Sequence, residues 1–402
     1  MIRQTVLPFK LEATKDTITP HAGLALVGEF AVGLGLLELV DRHLPKPGSA
    51  AGYEGREYVL PLILMLHGGG RSLEDIRQIR DDTGLREILP LSRVPSSDAV
   101  GDWLRRMGTS PRGLAGLEKV NQRLLKRGMK YNGIKGYTFD IDATGILSEK
   151  HSAKMTYKGF RGYMPMLGHI SENGLAIGDE FRAGNEAPAA RDLEFITYCT
   201  KQMPRGKKIK AIRSDSAAYQ AGVINYCDSN GIEFAIGGVL DEAVLNAINS
   251  IPEQAWKSYE NGYIAETVHC MNKTDKAFRL IVIRRSYQMS LVGQEDVSAR
   301  YTVIATNRAQ SAEQVVEWYN QRSDCSENRI KELKIGFGMQ RMPCGQFEAN
   351  AVFFRIGIVA YNIYRTAGKI VWHGGQVFLK VRRGLRGFFA ATRLKIWEFA
   401  NT

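Results

Sequence analysis

The stretch that most constrains this chain is Tyr137–Gly145, YTFDIDATG. Tyr137, Phe139 and Ile141 alternate with Thr138, Asp140 and Asp142, the period-two pattern of a half-buried strand. That alternation sets Asp140 and Asp142 on one face at the strand's C-terminal end, just before a glycine turn. Carboxylates are seldom buried unless paired, protonated or bound to a cation. Two readings are open from this stretch alone. Either Asp140 is a solvated edge residue and Asp142 caps the next turn, or the pair offers oxygen ligands to Mg²⁺ or Mn²⁺.

The rest of the chain narrows the choice. Its 402 residues carry a formal net charge of +12, an excess that suggests a polyanionic partner, nucleic acid before an anionic membrane. Five cysteines lie far apart with no CxxC spacing. This argues against a disulfide framework or a zinc site and for a reducing, cytoplasmic setting. The N-terminus lacks a continuous apolar segment of the secretory kind. Tyr58–His67 is too short to span a bilayer, and Ala22–Val40 carries Glu29 and Glu38 and reads as a buried helix. A soluble protein with no membrane partner is expected.

Taken in order, residues 1–130 read as a helical region after an extended arm. Helical spacing recurs over Ala22–Leu44, Arg56–Leu66, Ser72–Asp82 and Ser110–Arg127. Val94–Gly108, VPSSDAVGDWLRRMG, has serine N-cap candidates, an apolar stripe at Ala99, Val100, Trp103 and Leu104, and then Arg105 and Arg106. It fits the second helix of a helix-turn-helix, with Ser97, Asp98, Gly101 and Arg105 on the open face and Arg105 and Arg106 toward DNA. It also fits a plain amphipathic helix in a bundle.

After Gly136 the pattern becomes three strands and then an α/β alternation. The strands are the opening stretch, Tyr163–Ser171 and Gly174–Arg182, the last two joined by an Asn173–Gly174 turn signal. A helix at Pro188–Met203 leads to the strand Ile209–Arg213, which runs into Asp215 in IRSDSAAY. A helix over Ala217–Asn230 and a strand over Ile232–Gly238 follow. The expected fold is α/β, a mixed sheet with helices on its faces. Residues 240–300 read as a β-rich insertion, 131–239 and 301–365 as the two parts of the core, and 366–402 as a basic tail. From Arg365 to Lys395 there are eight Lys or Arg and no acid.

Three carboxylates then stand at comparable places: Asp142 and Asp215 at strand ends and Glu327 early on a late helix. Sites in open α/β sheets form beyond the carboxyl ends of strands. Three carboxylates there can hold two Mg²⁺ ions for phosphodiester chemistry. Basic residues flank each acid: Lys150, Lys154, Lys158 and Arg161; Lys207, Lys208, Lys210 and Arg213; Arg322, Lys331 and Lys334.

The residues YTFDIDAT, IRSDSAAY and Tyr319-Asn-Gln-Arg322 through Glu327-NRIKEL-Lys334, in that order, resemble the three signatures of bacterial insertion-sequence DDE transposases. The branch resembled has a Tyr-Arg-Glu-Lys helix and a β-strand insertion before the third acid. The resemblance covers roughly residues 130–365. It implies a ribonuclease-H-like core preceded by an end-binding region, two Mg²⁺ or Mn²⁺ ions, and double-stranded DNA as partner, met by two copies of the chain. It implies metal-dependent cleavage at the element's ends and strand transfer into target DNA. Asp142, Asp215 and Glu327 are then the catalytic and metal-binding acids, with Asp140 behind them. Tyr319, Arg322, Lys331 and Lys334 are implied DNA contacts. Two rival readings stand: a metal-dependent nuclease that cuts without joining, and a DNA-binding repressor or decayed copy without catalysis.

One departure marks the signature helix. The family spaces Arg and Glu four residues apart, whereas Arg322 and Glu327 are five apart. At about 100° per residue this separates the side chains by about 140° rather than about 40°. A bulge or fresh helix start within 323–326 is expected to return Arg322 to the side of Glu327.

Overall fold

The computed structural model describes residues 15–130, 133–291 and 294–372. Seven helices come first: α1 (Ala22–Gly33), α2 (Leu36–His43), α3 (Gly55–His67), α4 (Ile76–Asp81), α5 (Thr83–Ile88), α6 (Ser97–Thr109) and α7 (Pro111–Gly128). Expected as one helix, 22–44 breaks at Gly35, whose positive φ of 66° turns the chain. Helix α6 starts on a Ser96 cap to the Ala99 amide. It buries Val100, Trp103, Leu104 and Met107, and Gly101, expected on the open face, is buried with them.

The core begins with β1 (Gly136–Ala143) and a small three-stranded sheet, β2 (Ile146–Leu147), β3 (Lys154–Met155) and β4 (Arg161–Tyr163). Then come β5 (Met166–Ile170), β6 (Ala176–Glu180), α8 (Asp192–Gln202), β7 (Lys208–Ser214), α9 (Ala221–Ser229), β8 (Glu233–Gly237) and α10 (Glu242–Asn249). The insertion supplies β9 (Lys257–Tyr259), β10 (Gly262–His269), β11 (Phe278–Leu291) and β12 (Gln294–Thr306). Two helices close the described chain, α11 (Ala312–Lys331) and α12 (Phe347–Trp372).

One nine-stranded sheet runs in the order β6-β5-β1-β7-β8-β12-β11-β10-β9. β1 is antiparallel to β5 and parallel to β7, and β7 is parallel to β8. β12 then pairs antiparallel with β8, so the insertion strands lengthen the same sheet. The fold class is the expected one: a mixed α/β sheet of ribonuclease-H-like order with a β-rich insertion and a helical N-terminal region.

The sheet is covered on both faces. On one, Phe195, Ile196, Val223, Ile224, Val244 and Ile248 of α8–α10 pack on β1, β7 and β8. On the other, Val315 and Val316 of α11 pack on Ala235, Ile281 and Ile304. Helix α12, apolar nearly all round and therefore a buried helix, shares one core with α2, α3, α6 and α7 through Val352, Phe353, Phe354 and Ile356. It reaches Trp372, past the point where the sequence suggested a tail. Among the described residues no single helix is long and apolar enough to cross a membrane; α1 and α2 meet that test only together, bent by 58°.

Candidate active site

The site is built by register. Asp140 pairs with Arg213 across the parallel β1–β7 ladder, so the residues two further on, Asp142 and Asp215, stand beside each other where the two strands end. They line one pocket with Ile141, Ala143, Met166, Asp192, Ser214 and Ala217. Asp215 also accepts a hydrogen bond from the Ala217 amide at 3.0 Å, which fixes the turn after β7. Burial pushes the Asp142 carboxyl up to about 6; Arg322 pulls the other way and Asp215 adds to the rise. The neighbouring Asp215 charge disfavours ionisation of Asp142.

Asp140 is a different kind of residue. It is fully buried, and Arg213 donates to both of its oxygens, from Nε at 2.7 Å and Nη2 at 2.9 Å. Arg329 stands 3.7 Å away and donates to the Ser171 carbonyl. Burial still raises the Asp140 carboxyl, against the pull of these arginines. Arg213, read from sequence as part of a substrate-facing basic flank, is thereby committed to the interior, with its remaining donors on Ser171 Oγ and the Trp318 carbonyl. Lys208 and Lys210 also fall away from the site, because they lie at the start of β7 and Asp215 follows its end. Trp318 packs between the Arg213 and Arg308 guanidiniums.

Helix α11 brings Tyr319 and Arg322 to the aspartates. Arg322 Nη1 lies 3.6 Å from Asp142 Oδ2. The guanidinium sits 5.8 Å from the Tyr319 ring centre. Burial raises the Tyr319 phenol, Arg322 opposes, and both Asp215 and Asp142 reinforce the rise. A Cβ at Gly237 would come 2.9 Å from the Tyr319 hydroxyl and 3.2 Å from the Ser216 amide nitrogen, so glycine there leaves room for the tyrosine ring against the end of β8. Lys334 donates to the Gly145 carbonyl at 2.7 Å, and burial, with the nearby exposed Lys158, lowers its pKa. Lys154 and Arg161 are exposed on the small sheet beyond.

The expected interruption of the signature helix is not there. α11 is unbroken from Ala312 to Lys331, and the non-α turn comes later, as a π turn over Glu332–Gly336. Arg322 nevertheless stays at the site. The residue four positions on, Ser326, is the one that shares its face, and its hydroxyl donates to Asp142 Oδ2 at 3.3 Å. Glu327 is exposed, turned about 100° further round the helix, and Lys331 is exposed too. The structure therefore brings together Asp142, Asp215, Tyr319 and Arg322, with Lys334 at the rim, and does not bring Glu327 or Lys331 to them. Arg105 and Arg106 are exposed on α6, with Arg105 paired to Asp102.

Sequence reasoning passed over Asp192. At the first turn of α8 it is buried, and burial and Asp215 push its carboxyl up to about 6 against the pull of Arg182. Its Oδ1 has no hydrogen bond, and the nearest cation, Arg182 Nη1, is 3.8 Å away. An acid in the first turn of the helix before Asp215 was the available signal.

A divalent cation suits Asp142 and Asp215, but the fit is incomplete. Among the described residues no three of His, Cys, Asp and Glu gather closely enough to hold one.

Asp142 and Asp215 stand at the ends of adjacent parallel strands, with Arg322 and Tyr319 of α11 above them. A family model described as transposase DDE domain group 1 matches residues 7–376, and the chain belongs to that family. It is a DNA transposase. The fold is similar to that of a piggyBac transposase seen by cryo-EM in a synaptic complex with hairpin DNA. That likeness has a TM-score of 0.51 at 12% identity and covers 92% of this chain and 83% of the other. No curated protein matches the chain.

Proposed function

We propose that the chain cuts DNA at the ends of a mobile element and joins those ends to target DNA, with the scissile phosphate placed over the pocket between Asp142 and Asp215. The juxtaposition of these two aspartates with Arg322 and Tyr319 carries the reading. A divalent ion, Mg²⁺ or Mn²⁺, would supply activation of a water or 3′-hydroxyl there, with Asp142 and Asp215 as its ligands. The protein's own part is placement. Arg322 offers guanidinium donors to a phosphate oxygen, and Tyr319 offers a phenol hydroxyl. Lys334 and the exposed Lys154, Lys158 and Arg161 extend a positive surface along the duplex. Two copies, one per end, would act together.

The exposure of Glu327 favours a second reading, an end-binding protein that does not cut. The experiment is incubation of the purified chain with duplex carrying the DNA that flanks its coding region, in Mg²⁺ or Mn²⁺. Strand cleavage and joining that stop with chelator, and with Asp142→Asn or Asp215→Asn, are expected. Tight binding to those ends with no cleavage in either metal would establish the second reading.

A further inference from the structure

Asp142 meets α11 through two residues, Arg322 and Ser326, both at Oδ2. Four residues apart on an unbroken helix, they lie within about 40° of each other. Position 326 is therefore the helix position that shares the Arg322 face and meets Asp142. It is occupied by a hydroxyl, only 1% exposed, while the carboxylate of Glu327 points to solvent one residue on. Both flanks of this segment are anchored. Upstream, Val315, Val316 and Arg322 are packed on the sheet and the site. Downstream, Leu333 is buried, Lys334 holds the Gly145 carbonyl and Phe337 packs against His67 and Tyr361. The downstream anchors include Leu333 and Lys334 of a π turn over Glu332–Gly336, closed by the Phe337 amide on the Glu332 carbonyl at 3.2 Å. A π turn accommodates one residue more than α geometry needs.

We infer that position 326 is the third-ligand position of the cation site, and that Ser326 holds it because α11 carries one surplus residue, taken up in the π turn. The inference rests on the reading that this pocket takes a divalent cation. Ser326 then satisfies Asp142 by donating a hydrogen bond where a third carboxylate would share an ion with it. Asp192 does not fill that role, since Asp142, Asp192 and Asp215 are not close enough to hold one ion together. Cation affinity is accordingly weak and owes nothing to Glu327.

The test is Mn²⁺ binding to the full chain, followed by electron paramagnetic resonance and by the rise in melting temperature with Mn²⁺. Ser326→Glu is expected to tighten Mn²⁺ binding tenfold or more, while lowering stability without metal. Glu327→Gln is expected to leave the affinity unchanged, whereas Asp142→Asn weakens it. As a second route, deletion of Cys325 moves Glu327 into register with Arg322. Tighter Mn²⁺ binding is expected there, lost again when Glu327→Gln is added. If Ser326→Glu fails to fold, the deletion pair decides. No gain in either background, or a loss in Glu327→Gln equal to that in Asp142→Asn, overturns the inference. Failure of the functional reading would show separately, as Mn²⁺ binding unaffected by Asp142→Asn and Asp215→Asn.

Discussion

Replacing Asp140 with asparagine is expected to damage the fold, although it lies two residues from Asp142 on the same strand face. Arg213 is 1% exposed and takes its charge compensation from Asp140, at 2.7 and 2.9 Å. Asparagine keeps the shape and one acceptor but leaves the guanidinium uncompensated in the interior. Breaking a buried pair in this way costs about 3–5 kcal/mol. For a domain of 150–250 residues each kcal/mol shifts the melting point by about 2–4 °C, so a fall of roughly 6–20 °C is expected. Burial raises the Asp140 carboxyl in spite of its arginines, so removing its charge from the interior relieves a desolvation cost. The double variant Asp140→Leu with Arg213→Met is therefore expected to recover most of the loss, as apolar replacements of buried pairs commonly do. Differential scanning calorimetry across the three variants reads this directly. An Asp140→Asn protein that melts within about 2 °C of the parent would refute the structural role.

Asp142→Asn and Asp215→Asn are expected to melt at or above the parent temperature while abolishing cleavage, because each removes charge repulsion from the pocket; a lower melting point would refute this. Asp192 makes stability depend on pH. Its folded pKa of about 6 lies above the ordinary value of 3.8, so its contribution is fully present below pH 3.8 and is lost as pH rises through 6. The loss is on the order of 3 kcal/mol at 1.36 kcal/mol per unit, and Asp192→Asn is expected to flatten that part of the stability profile in urea titrations. Deleting residues 373–402, which carry basic Lys380, Arg382, Arg383 and Arg386, is expected to reduce the salt slope of duplex binding; an unchanged slope would place those charges away from DNA. Arg105→Ala is expected to lower discrimination between element ends and random duplex in competition binding, and equal loss on both would make it a general phosphate contact.

Much of the core was legible because its signals are local. The alternation at Tyr137–Ala143, the Asn173–Gly174 turn and the serine cap of α6 each act within a few residues. Residues dependent on register were not legible. Arg213 reads as one more cation before Asp215 until the β1–β7 ladder sets it opposite Asp140. Lys208 and Lys210 are near Asp215 in sequence, yet a strand's length carries them to its other end. The signature helix shows the same limit. Its five-residue spacing demanded one extra residue of helical slack somewhere, and the packing of Leu333 and Phe337 sets that slack at Glu332–Gly336, after Glu327 instead of before it. The small sheet β2–β4–β3 escaped because strands of two or three residues hold no periodicity to read.

Asp142 and Asp215 are proposed as the cation site of this transposase. Iron-mediated hydroxyl-radical cleavage of the polypeptide tests it most directly, with Fe²⁺ in place of Mg²⁺ and ascorbate added. The expected result is backbone scission beside Asp142 and beside Asp215, competed away by Mg²⁺ and lost from both places in Asp142→Asn. Scission centred elsewhere, or scission at these strand ends that survives Asp142→Asn and Asp215→Asn alike, would contradict it.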